Sequence, residues 1–156
     1  MMSETDNMLK FGNYKEQMGR LKKAMANHFL LEALFIEYAV IEDRTESILR
    51  HAGVFNPEKH TTLCRKLNRI ADLARGKRSL LRKYISIETI DGIKAWKGER
   101  NRLIHALMIQ DITTQELEQI AEDGLKYAKL LCSKATSYRR ALEQEEQRHI
   151  NGGIIR

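Results

Sequence analysis

The chain has 156 residues, 42% hydrophobic and 31% charged, with a formal net charge of +6. That is enough to bury a core as one domain without disulfides or metal. No stretch approaches ~20 uncharged apolar residues, which excludes a membrane span, and the two cysteines, Cys64 and Cys132, fit free thiols in a reducing, cytoplasmic compartment.

One proline and few glycines, set among many Leu, Ala, Glu, Lys and Arg, predict an all-α protein. Met1 to Asn7 lack the basic-then-apolar order of a signal peptide. The first helix is expected over 13–26, with Tyr14, Met18, Leu21 and Met25 on one face. The second is expected over 28–51, set off by Asn27 and stopped by Gly53. Its centre, from Phe29 to Ile41, is apolar on nearly every side, and such a helix needs either its own bundle or a second subunit around it. Asn56-Pro57 reads as N-cap and first-turn proline of a third helix with the stripe Leu63, Leu67, Ile70 and Ala74, ended by Gly76. The fourth begins near Ser86 or Thr89 and reaches about Met108, with Ile90, Ile93, Trp96, Leu103 or Ile104, and Leu107 facing inward and Gly92 and Gly98 as weak points. Thr113 and Glu116 form a capping-box pattern opening a long fifth helix whose stripe runs Leu117, Ile120, Gly124, Ala128, Leu131, Ala135, Tyr138 and Leu142. Short loops between long helices predict an antiparallel four- to five-helix up-and-down bundle in a single domain over 1–156, with its core at 13–142 and flexible ends at 1–10 and 149–156.

The charge is unevenly spread. Arg65, Lys66, Arg69, Arg75, Lys77, Arg78, Arg82 and Lys83 are opposed in their own stretch only by Asp72. Such a cluster suits a phosphate backbone and also describes a solvated helix face followed by a basic loop. No aromatic residue interleaves it before Tyr84, so it lacks the stacking platform of single-strand binders.

The fourth helix carries Arg100-Asn101-Arg102-Leu103-Ile104-His105. Arginine holds a phosphate by charge and by a planar fork of donors, and histidine moves protons near neutral pH. Asn101 and His105 lie about 40° apart around an ideal helix, whereas Arg100 and His105 diverge by about 140°. An irregularity near Gly98, or a second copy of the chain facing the first, would let both act on one phosphate. Lys97 and Arg102 flank the segment and join the expected RNA-contacting cations Arg65, Arg69, Arg75, Lys77, Arg78, Arg82 and Lys83.

The segment resembles the R-x4-to-6-H signature of the HEPN superfamily, in which the first x is usually Asn, Asp or His. Arg100, Asn101 and His105 take the three motif places. The resemblance implies a small helical bundle carrying the motif on a late helix and dimerising around it, and, for many members, a ribonuclease that needs no metal or other cofactor. RNA, a second copy of the chain and an antitoxin or defence-system protein are the implied partners. It further implies attack of the RNA 2′-hydroxyl on its adjacent phosphate, leaving a 2′,3′-cyclic phosphate, with His105 as general base or acid, Arg100 stabilising the non-bridging oxygens and Asn101 orienting the phosphate or the histidine. Other members keep the fold as a binding or assembly module, so fold alone does not fix activity. Members paired with minimal nucleotidyltransferase antitoxins often carry a tyrosine two residues past the histidine. Leu107 stands there, which points away from that subfamily.

His60 and Cys64 are half of a zinc pattern with no second pair nearby, and read better as a histidine and a buried thiol. Glu42, Asp43 and Glu46 are either polarising acids for His105 or, more simply, partners of Arg44, Arg50 and solvent. Motifs for nucleotide hydrolysis, acyl transfer and zinc proteolysis are absent from the sequence. A metal-independent endoribonuclease leads, against a non-catalytic RNA- or protein-binding module and a helical adaptor.

Overall fold

The structure, a computed structural model, describes residues 3–153, the side chain of Asn7 excepted. The expectations for Met1 and Met2 and for the tail beyond Gly153 lie outside the described residues. Five α-helices and one short 3-10 turn make up the described residues, with no strand among them: α1 (Glu4–Ala26), α2 (Leu30–His51), α3 (Leu63–Arg75), the 3-10 turn (Leu80–Lys83), α4 (Ile87–Ala106) and α5 (Thr114–Gly152). The protein is all-α, as the composition predicts, and no helix is long and apolar enough to cross a membrane among the described residues.

Helix ends follow the local chemistry. α1 starts nine residues before the expected Asn13, because Ser3 and Asp6 form a capping box: the Ser3 hydroxyl accepts from the Asp6 N–H, and the Asp6 carboxylate accepts from the Ser3 N–H. α1 and α2 both end in the same left-handed hydrogen-bond pattern. The Phe29 N–H donates to the Ala24 carbonyl and His28 to Met25; at the other helix Val54 donates to Leu49 and Gly53 to Arg50. The left-handed residue is Gly53 in one case (φ 72°) and His28 in the other (φ 57°).

The expected start of the third helix at Asn56-Pro57 is corrected. Asn56 accepts through its side chain from the Glu58 and Lys59 N–H groups, and its own N–H donates to Nδ1 of His60 at 2.9 Å. That closes a single turn, which the His60 ring completes by packing on Phe55. α3 starts again at Thr62, whose hydroxyl accepts from the Arg65 N–H. At α5 the expected capping box is present, with Thr113 and Glu116 exchanging both bonds.

The chain forms two compact units, Met1–Val40 with Trp96–Ala128, and Ile41–Ala95 with Lys129–Arg156. In the first, Leu21, Leu34, Leu103 and Ala121 are fully buried, but Phe29, Leu31 and Phe35 of α2 and Leu107, Met108 and Ile109 after α4 are exposed. The α2 run is thus not enclosed within this unit. In the second, Ile48, Leu63, Leu67, Ile70, Ile90 and Ile93 fill the core. Each α3 stripe residue is buried as its spacing predicts.

Candidate functional site

α4 opens where the Ser86 hydroxyl accepts from the Thr89 N–H (3.1 Å) and continues as regular α-helix through Gly92 and Gly98, so no break near Gly98 brings Arg100 round to His105. Its buried face runs Ile90, Ile93, Trp96, Arg100 and Leu103. Arg100 therefore occupies a core position, 9% exposed, filling the gap in the apolar stripe between Trp96 and Leu103. Leu107, expected on that stripe, is exposed because the helix ends at Ala106.

The Arg100 guanidinium lies over the ring of Tyr38 (4.4 Å to the centroid) and near that of Phe35 (5.5 Å). Nε makes a long hydrogen bond to the Leu34 carbonyl (3.5 Å), and Nη1 donates to Oδ1 of Asn101 (3.1 Å). Burial pulls the guanidinium below its ordinary pKa, while Tyr38 and Glu37 act the other way. Asn101 is half-buried, and its Oδ1 being taken by Arg100 leaves its amino group as a donor. His105 is exposed, one and a half turns beyond Arg100, and its side chain makes no hydrogen bond among the described residues. The structure thus joins Arg100 to Asn101 by a hydrogen bond, and leaves His105 near Asn101 around the helix but turned well away from Arg100. Lys97 is half-buried, and Arg102 is exposed and paired with Glu99 at 3.2 Å.

In the second unit, Arg65, Lys77, Arg78, Arg82 and Lys83 are exposed and Arg69 is half-buried. Arg75 pairs with Asp72 (3.3 Å) at the surface. Lys66 differs from its neighbours: it is buried, and its Nζ donates to Glu42 (3.3 Å) and Glu46 (3.0 Å). Arg50 also binds Glu46, and Asp43 binds Arg44. Burial raises the Glu46 carboxyl, but the hydrogen bonds from Arg50 and Lys66 outweigh it, and the group lies below its ordinary value. Glu42, Asp43 and Glu46 thus carry the simpler of their two readings, as ion-pair partners inside their own unit. His60 caps its turn, and Cys64 contacts the Asn68 amide. No cluster of three metal-ligating side chains occurs among the described residues.

Sequence reasoning passed over Glu37. It is fully buried, and neither carboxyl oxygen has a hydrogen-bond partner among the described residues. Burial pushes its carboxyl up to about 9, with Arg100 opposing and Asp123 adding to the rise. The apolar run from Phe29 to Ile41 holds two acidic residues, Glu32 and Glu37, and of these only Glu37 is buried.

Comparison of the chain with family models, with curated proteins and with solved structures gives no match in any of the three.

Proposed function

We propose that the chain is a HEPN-like bundle acting as a metal-independent endoribonuclease in a homodimer, in a toxin or phage-defence role. The observation that carries this reading is the Arg100–Asn101 hydrogen bond on the same helix as an exposed His105. Paired donors suit the non-bridging oxygens of a phosphate, and a solvent-facing imidazole is free to exchange protons. In the cleavage step the 2′-hydroxyl oxygen forms a bond to the adjacent phosphorus. His105 takes its proton, the bond from phosphorus to the 5′-oxygen breaks, and the leaving oxygen takes a proton from water, giving a 2′,3′-cyclic phosphate and a 5′-hydroxyl. Arg100 offsets the charge that builds on the non-bridging oxygens, with the Asn101 amino group beside it. DNA lacks the nucleophile and is not a substrate.

A buried Arg100 and an exposed His105 on one helix serve a shared phosphate poorly within a single chain, which favours two copies contributing to one cleft. The exposed Phe29, Leu31, Phe35, Met108 and Ile109 supply apolar area for that association. The test is incubation with total RNA in EDTA, with end-group analysis and sedimentation. Wild-type protein is expected to leave 2′,3′-cyclic phosphate ends, and His105→Ala to leave none while remaining folded and dimeric. Unchanged cleavage by His105→Ala refutes the reading. The second reading, RNA binding without cleavage, is favoured by one observation: Arg65, Lys77, Arg78, Arg82 and Lys83 are exposed in one unit without acidic partners among the described residues.

A further inference from the structure

Midway along α2 two neighbouring side chains face opposite ways. Glu37 points inward, into a slot admitted by Gly124 of α5: a Cβ there would collide with Oε2 of Glu37 and come within 2.7 Å of Cζ2 of Trp96, whose indole N–H is given to the Ile120 carbonyl (2.9 Å). Phe35, two residues earlier and so about 200° round the helix, points outward and is 63% exposed. The Arg100 guanidinium lies beside this outer ring, its Cζ 5.5 Å from the Phe35 centroid and 4.4 Å from that of half-buried Tyr38. Nε and Nη1 are given to the Leu34 carbonyl and to Asn101, and Nη2 has no hydrogen bond among the described residues. A cationic donor and an open aromatic face therefore stand side by side, one sugar's span apart, as phosphate and base do in a nucleotide. The basic segment from Arg65 to Lys83 has no ring of its own, so it can follow a backbone but cannot seat a base.

We propose that Phe35 seats a nucleobase whose phosphate is held by Arg100, which makes unpaired RNA the substrate class. This deepens the reading of Arg100 as the phosphate-holding group and rests on it. In an A-form duplex the base faces are covered by their neighbours, and a protein meets only groove edges and backbone, so a paired nucleotide cannot lay its face on the ring. A base splayed from a loop or single strand can, and stacking tolerates any of the four bases. The two rings of α2 divide the work: Tyr38, nearer and less exposed, steadies the guanidinium, and Phe35 takes the base. Phe35 also belongs to the exposed apolar set offered for association of two copies, and its place beside Arg100 puts it at the wall of the cleft they would share.

The test measures binding of the full-length protein to two 2′-O-methyl strands of equal length at constant salt, one of adenylate and one of abasic sugar-phosphate. Neither has the attacking hydroxyl, so neither is cut, and both carry the same charge. Wild-type protein is expected to bind the adenylate strand more tightly. Phe35→Leu, which keeps apolar bulk but has no aromatic face, should weaken adenylate binding about tenfold and leave the abasic strand unchanged, while Phe35→Trp retains the wild-type affinity. Pairing the adenylate strand with its complement should remove the difference between the proteins. An equal loss on both strands makes Phe35 a support for Arg100 rather than a seat for a base and overturns the proposal. Unchanged adenylate binding by Phe35→Leu overturns it too, as does a leucine protein that sediments as a monomer where the wild type is a dimer; in each case the RNA reading stands. Binding of neither strand by wild-type protein overturns the RNA reading and the proposal with it. If the leucine protein fails to fold, Phe35→Met serves in the same comparison.

Discussion

Replacing Glu37 by methionine should make the protein more stable, by an amount that grows with pH. Below about pH 4.5 the carboxyl is protonated in both the folded and unfolded chain, and the two proteins differ by a constant. Above that value the unfolded chain releases the proton while the folded one holds it until about pH 9. Each pH unit in this window costs the wild type about 1.4 kcal/mol, so at pH 7 the loss is on the order of 3 kcal/mol and near pH 9 on the order of 6 kcal/mol. Against a total of about 5–15 kcal/mol for a typical domain, this is a large share. Methionine has a similar volume and leaves no unpartnered oxygen, so it does not inherit the penalty. Urea unfolding of both proteins at pH 5, 7 and 9, followed by circular dichroism, gives the difference directly. Other titrating groups, including Glu46 and Asp6 with their lowered carboxyls, cancel between the two. A difference that stays constant from pH 5 to 9 refutes the argument.

Gly124→Ala should cost about 1–3 kcal/mol in urea unfolding, through overlap with the Glu37 carboxyl and Trp96, and less in a Glu37→Ala background. His28→Gly should raise stability by about 1 kcal/mol, since glycine accepts the left-handed turn that histidine resists, while Gly53→Ala at the matching position of α2 should lower it by a similar amount; thermal melts read both. Gly98→Ala, where an added Cβ meets nothing, should stabilise α4 by about 1 kcal/mol without altering RNA binding, and a melting point that falls would contradict the placement of Gly98 on an open helix face.

Most helices were legible because one face of each is buried at helical spacing. The α3 stripe and the Thr113–Glu116 cap needed no tertiary information. The start of α1 was not legible from periodicity: Met8, Leu9 and Phe11 are exposed, so no buried stripe marks the first turns, and only the Ser3–Asp6 cap announces them. Asn56-Pro57 has the composition of a helix start, yet the His60 ring, four residues on, takes the Asn56 N–H and closes the turn. At the site, the motif spacing was plain, but its burial was not. Arg100 continues the spacing of Ile93 and Trp96, and charge alone suggested a solvated place for it. The Phe35 and Tyr38 rings that flank it come from α2, over sixty residues earlier, and the Glu37–Gly124 slot is a contact between helices that no local pattern encodes.

Trp96 is the only tryptophan in the chain, and it lies in the first compact unit, against the Glu37 slot, with its indole held by Ile120. Its fluorescence is therefore a built-in optical probe of one unit, whereas far-ultraviolet dichroism sums over every helix. The Tyr84–Tyr138 ring pair belongs to the other unit. If the two units melt as one cooperative body, emission and ellipticity trace the same curve; if they melt separately, the two signals part, and the unlabelled protein reports which unit opens first.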